Sequence, residues 1–161
     1  MANQDVNDAK TINTITVSVS NHMTKTVFQD KIDTAFDARG IYLVYSYTKD
    51  RKNLHLQYIG KSIDLPERVT EKHEHYKDWL KAAGGKVENL SFSIISLPKY
   101  TNIMRCEAAL IFALQPPINR KNKKTYDWDD LKVVFSGRKV CKKDCIVVHR
   151  TEAPKQKNEK S

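Results

Sequence analysis

The sequence predicts an α/β (α+β) fold: a small mixed, mainly antiparallel three-stranded sheet with flanking helices. Three observations lead there. Short segments of alternating apolar residues recur around residues 15–19, 54–60 and 90–97, as half-buried strands require. A near-continuous apolar run, Gly40 to Tyr45, has the composition of a strand covered on both faces. Two stretches with helical stripes and stop signals, beginning near Asp64 and Ile103, fall between and after these strands. The central order is β-β-α-β-α.

Each element has its own local reason. Residues 1–10 are polar and read as a loose leader. Ile15, Val17 and Val19 alternate with Thr16 and Ser18, giving a strand. Residues 24–36 place Val27, Phe28, Ile32, Ala35 and Phe36 at spacings that suit a helix. The polar stretch Lys49 to Asn53 separates the run at 40–45 from Leu54, Leu56 and Tyr58, so the two strands form an antiparallel hairpin. Asp64 caps the next helix, with Pro66 in its first turn and Glu67 completing a capping box. Val69, Tyr76 and Leu80 share one stripe of that helix, which ends at Gly84-Gly85. A third strand follows at Leu90 to Leu97. Asn102 or Thr101 caps a second helix, Ile103 to Leu114, stopped by Pro116-Pro117. Leu131 to Phe135 and Asp144 to Val148 form a C-terminal β-hairpin around Ser136-Gly137.

The chain has 161 residues, of which 40% are hydrophobic, and this is enough for one core and one domain. No apolar stretch reaches the roughly 18 residues of a membrane span, and the first residues lack a signal-peptide core. Three cysteines do not make a disulfide framework, so a reducing cytoplasm is expected. The formal net charge is +9. It is unevenly spread: residues 1–39 carry net −1, residues 40–118 net +3 and residues 119–161 net +7. A clustered basic excess suits a phosphate backbone. The stretch 153–161 has no apolar periodicity and reads as a disordered tail.

One constellation carries chemistry. Gly40-Ile41-Tyr42 and Tyr58-Ile59-Gly60 stand on adjacent predicted strands, Lys61-Ser62 follows the second tripeptide, and Arg68 lies ten residues after Tyr58. Glu107 lies in the second helix and Asn119 in the segment Pro116 to Arg120. This set, in this order, resembles the GIY-YIG nuclease superfamily over residues 39–121. The flanks, an N-terminal extension at 1–38 and a basic C-terminal extension at 122–152, fall outside the resemblance. What the resemblance implies is an endonuclease that hydrolyses phosphodiester bonds with a divalent cation. Tyr42 would help activate the attacking water, with Tyr58 directed into the same site. Arg68 would hold the scissile phosphate, Glu107 the metal, and Asn119 would order the metal site or the helix end by hydrogen bonding.

Physical reasoning runs alongside. Glu107 sits four residues after Ile103 and three before Leu110, on an apolar stripe where a bare carboxylate is costly to bury. A cation must compensate it, either Arg68 or a divalent ion, and one carboxylate with waters and phosphate suits Mg2+, or Mn2+. A tyrosine titrating near 10 is a poor base unless cations lower it, and Lys61 is the candidate for that or for a phosphate contact. Many members of the superfamily carry His or Tyr four residues after the arginine, where this chain has Lys72. On a continuous helix Lys72 lies about 40° from Arg68, His75 about 20° and His73 about 140°. Lys72 is therefore the best-aligned assistant to Tyr42, His75 the second, and His73 a packing residue.

Cys141, Cys145 and His149 are spaced by four and share a strand face. They read as buried thiols of a hairpin rather than as a zinc site, for want of a fourth ligand. Lys61, Arg120, Lys121, Lys123, Lys124, Arg138, Lys139, Lys142 and Lys143 are the candidate DNA contacts. The compact plan is that of a stand-alone restriction enzyme, bacterial or phage-encoded, with double-stranded DNA as partner and no small-molecule cofactor. Cutting both strands with one site per chain implies a homodimer on DNA. The alternatives are a phage or mobile-element nuclease, and a nucleic-acid-binding module without chemistry.

Overall fold

A computed structural model describes residues 12–35 and 39–152. Expectations for residues 1–10, Phe36 and 153–161 lie outside the described residues. The elements run β1 (Asn13–Val19), α1 (Lys25–Ala35), β2 (Gly40–Tyr47), β3 (Leu54–Ser62), α2 (Leu65–Arg68), α3 (Tyr76–Ala82), β4 (Leu90–Ser96), α4 (Ile103–Leu114), β5 (Leu131–Gly137) and β6 (Cys145–Val148). Among the described residues no helix is long and apolar enough to cross a membrane.

The α+β class holds, but the sheet has six strands rather than three, in the order β3-β2-β4-β1-β5-β6. The flanking segments supply the difference. β1 pairs antiparallel with β4 and parallel with β5, and β6 closes antiparallel on β5. The physical reason is α4. A three-stranded sheet would leave one edge of β4 unpaired and half of the apolar α4 bare. With β1, β5 and β6 in place, Cys106, Ala109 and Leu110 are fully buried.

The sheet divides two cores. On one face α4 packs over Val17, Ile41, Leu43, Tyr45, Ile59, Val133 and Ile146. On the other, α1, α2 and α3 cover Tyr42, Val44, Tyr58, Phe92 and Ile94. The run at 40–45 is buried on both faces, as its composition requires. In β3 a bulge changes the simple alternation. Val44 pairs with Tyr58 and Tyr45 with Leu56, so Gln57 is an extra residue. Leu56 therefore faces α4 while Tyr58 joins Tyr42 on the opposite face.

The single helix expected from Asp64 to Gly84 is broken. α2 stops at Val69, which has φ −95° and ψ 69°. Thr70 explains this: its hydroxyl accepts the Lys72 N–H at 3.3 Å, offering the backbone a turn in place of the helix. Val69 and Thr70 are also β-branched and poor helix formers. Asp64 makes no side-chain cap, contrary to expectation. In α3, Trp79 is fully buried, and Leu80 is only partly so. α4 is capped by Asn102, whose Oδ1 accepts the N–H groups of Met104 and Arg105 at 3.1 Å. Gln115 ends it in the left-handed region at φ 51°, and Pro116-Pro117 prevents continuation.

The C-terminal hairpin forms, with a seven-residue loop between Gly137 and Cys145. Its thiols are not buried as expected: Cys141 is exposed and Cys145 intermediate. Cys141 sits on the loop, and Cys145 alternates with Ile146 and Val148, the residues of β6 that enter the core. His149 is turned to Asp130 at 3.2 Å.

Candidate active site

The β2–β3 hairpin sets the geometry. Tyr42 stands opposite Gly60 in register. A Cβ on Gly60 would lie 2.3 Å from the Tyr42 ring, so the ring crosses the sheet only because residue 60 has no side chain. Tyr42 then reaches toward the β3 edge, with Tyr58 beside it at a ring separation of 6.1 Å. Below this edge, Asn119 acts as a substitute strand. Its Oδ1 accepts from the Ile59 N–H and its Nδ2 donates to the Ile59 carbonyl, each at 2.8 Å. The Ile118 N–H donates to the Gln57 carbonyl at 3.0 Å. Asn119 thus ties the chain after α4 to the β3 edge.

Beyond Ile59 the edge opens into a cleft of about 660 Å³. Tyr42, Tyr58, Lys61, Arg68, His75 and Glu107 line it, six residues from five separate segments. Lys72 does not. It is exposed on a different depression beside Thr70 and Glu71. The helical angles expected for Lys72, His73 and His75 fail because the helix between them and Arg68 is interrupted.

His73, expected only to pack, is the partner of Tyr42. It is 7% exposed, and its Nε2 lies 2.8 Å from the Tyr42 hydroxyl. The His75 N–H donates to His73 Nδ1 at 3.0 Å. That bond fixes the tautomer, since Nδ1 must offer a lone pair and Nε2 must carry the proton. His73 therefore donates to Tyr42. Burial, helped by the Arg68 guanidinium, holds its pKa down at about 4, so the ring stays neutral.

The Tyr42 hydroxyl is itself pushed far up, first by burial and then by the neighbouring Tyr58, with Arg68 pulling the other way. Tyr58 is also raised, chiefly by burial. Lys61 does not depress Tyr42. Its ammonium lies 3.0 Å from Glu107 Oε2 instead. The Glu107 side chain is 13% exposed, and Lys61 supplies the compensating cation that its position on α4 demands.

His75 is held differently. Its Nδ1 lies 3.1 Å from Asp78 Oδ2. The carboxylate favours the proton on Nδ1 and leaves Nε2 as a lone-pair acceptor. Arg68 is about half exposed, with its guanidinium 3.4 Å from Glu74 Oε1. That ion pair is loose enough to open for an anion.

The basic residues separate into groups. Arg120 and Lys121 line the cleft. Lys123 instead donates to the Pro116 carbonyl at 2.9 Å, and its own carbonyl accepts from Gln115 Nε2, so it braces the loop. Lys124 is exposed. Arg138, Lys139, Lys142 and Lys143 are exposed on the β5–β6 loop, three strands away from β2 across the sheet, and Lys139 pairs with Asp144 at 2.9 Å.

Among the described residues no three His, Cys, Asp or Glu side chains gather as a metal site. Glu107 fits a cation that keeps most of its water, because a single partly buried carboxylate at a cleft is enough for Mg2+. The sequence signal that could have found His73 was its place between two short helical turns, not its helical angle. Comparison with protein-family models, curated proteins and solved structures finds no match for the chain.

Proposed function

We propose that the protein is a divalent-cation-dependent DNA endonuclease that hydrolyses phosphodiester bonds with water, site-specific in the manner of a restriction enzyme. The observation that carries this is the convergence of Tyr42, Tyr58, Lys61, Arg68, His75 and Glu107 on one cleft. Their resemblance to the GIY-YIG pattern supports it. So does the +7 net charge of residues 119–161, two of whose cations line the cleft.

The roles divide by electrostatics. Arg68 leaves Glu74 to receive the scissile phosphate and neutralise its developing charge. Tyr42 stays a phenol: His73 donates to its oxygen, its own hydrogen goes to the neighbouring Tyr58 hydroxyl, and Tyr58 in turn is left to orient the attacking water or a phosphate oxygen. His75 Nε2 takes the water's proton, with Asp78 stabilising the imidazolium. Glu107 holds Mg2+ or Mn2+, which when bound supplies positive charge to the phosphate and leaving oxygen. Lys61 then moves from Glu107 to the phosphate. One cleft cuts one strand, so double-strand cleavage takes two copies on double-stranded DNA.

A second reading, a nucleic-acid-binding module without chemistry, is favoured by one observation. The Lys61 ammonium already occupies the Glu107 carboxylate at 3.0 Å. Supercoiled plasmid with Mg2+ or Mn2+ separates the two. The nuclease reading expects nicking by the wild type and none by Glu107→Ala. A wild type that binds and never nicks belongs to the second reading, and nicking that survives in the variant removes Glu107 as the metal ligand.

A further inference from the structure

The cleft has a second half that this chemistry leaves unused. Met104, Ala108 and Ile111 lie at i, i+4 and i+7 on α4, forming an apolar strip beside Glu107, and Trp128 stands as its wall. Met104 is 55% exposed and Trp128 37%. An indole left open at a cleft is a surface prepared for something flat.

The loop bearing Trp128 is firmly built. Tyr126 is 1% exposed, and its hydroxyl donates to the Asp129 carbonyl at 3.0 Å. Its backbone N–H donates to Thr151 Oγ1, and its carbonyl accepts the Thr151 N–H, each at 2.8 Å. On the other side of Trp128, the Arg105 guanidinium donates to the carbonyls of Asp129 and Asp130 at 3.0 Å. The backbone that carries the indole is thus held on both sides, so little backbone freedom remains to be lost when a ring stacks on it.

The same cleft is lined by four cations, Lys61 and Arg68 together with Arg120 and Lys121. An apolar stacking wall and several cations lining one cleft match a base with its neighbouring phosphates. The volume of about 660 Å³ is sufficient for a nucleotide.

We propose that the Trp128 half of the cleft seats one unpaired nucleobase of a DNA strand, next to the phosphate to be cut. The substrate at the point of cleavage is then single-stranded, or a nucleotide extruded from a duplex. This rests on the nuclease reading of the same cleft and adds the state of the substrate within it.

Intrinsic fluorescence of the full-length protein in EDTA tests it without cleavage. The chain has two tryptophans, and Trp79 is fully buried, so the quenching that disappears in Trp128→Ala reports Trp128. The probes are a 12-nucleotide oligothymidylate, an abasic strand of equal length and a blunt duplex. The expected result is quenching by oligothymidylate, with at least about ten-fold tighter binding than the abasic strand and stronger quenching than the duplex gives. By anisotropy, Trp128→Ala loses about ten-fold in affinity for oligothymidylate and Trp128→Phe recovers most of it. Equal affinity for base-bearing and abasic strands overturns the proposal, and the wild type alone suffices to show it. Equal quenching by the blunt duplex overturns the requirement for an unpaired base. Plasmid nicking is scored separately. Glu107-dependent cutting without base-selective binding removes only the Trp128 seat, and base-selective binding without cutting removes only the nuclease reading.

Discussion

Replacing His73 by Gln removes a titrating group from beneath Tyr42 while keeping an N–H donor where Nε2 stood. Burial and Arg68 hold the folded-state pKa of His73 at about 4, against an unfolded value near 6.5. Between those two values the unfolded chain binds a proton that the folded chain refuses. Stability therefore rises with pH across this window and is level above it, and it is lost as pH falls from about 6.5 toward 4. The full shift corresponds to about 3 kcal/mol at about 1.4 kcal/mol per pH unit. Solvent at the cleft side of the ring screens part of this, leaving about 2 kcal/mol. Urea denaturation from pH 8 to pH 4 measures it. His22, also lowered to about 4 by burial, makes both proteins less stable in acid. The difference between them isolates His73: the wild type should lose about 2 kcal/mol more than His73→Gln. Equal losses would refute the neutral, Tyr42-donating histidine.

Three other perturbations follow from the same geometry. Gly60→Ala drives a Cβ to 2.3 Å from the Tyr42 ring, with an expected cost of about 2–3 kcal/mol and a fall in Tm of roughly 5–10 °C. An unchanged melting curve would mean the ring swings aside freely. Asn119→Ala strands both the N–H and the carbonyl of Ile59, itself fully buried, and should cost roughly 2–4 kcal/mol in urea denaturation. A loss below about 1 kcal/mol would mean that water replaces the amide. Lys61→Met frees the Glu107 carboxylate, so titration calorimetry should show Mn2+ binding tightened by about five-fold while nicking weakens. Unchanged Mn2+ affinity would separate Glu107 from the metal.

Much of the fold was legible because its signals are local. Gly40 to Tyr45 reads as a doubly covered strand, and it is one. The stop at Pro116-Pro117 and the cap at Asn102 depend on neighbours within a few residues. The three-stranded sheet was an underestimate for the opposite reason. β1 is only seven residues long, and nothing in its alternation says that it will stand between β4 and β5. Strand partners are chosen by which edges and apolar faces remain uncovered, which is a property of the assembled layers.

The candidate site divides in the same way. Tyr42, Tyr58, Arg68, Glu107 and Asn119 stand out because their order resembles the GIY-YIG pattern, and only Glu107, an acid on an apolar stripe, leaves a physical mark of its own in the chain. Two decisions needed the tertiary structure. The first is the bulge at Gln57, which turns Tyr58 from the face of Leu56 to the face of Tyr42. With period-two alternation, one extra residue reverses a side chain, and no single strand announces where its partner forces the extra residue. The second is the partner of Tyr42. A continuous helix would have chosen Lys72. The Thr70 turn breaks that helix and delivers His73, so the residue whose helical angle looked wrong makes the 2.8 Å contact. Sequence alone determined which side chains are available for the proposed chemistry. Its orientation was decided by backbone hydrogen bonds between segments far apart in the chain, which no local pattern encodes.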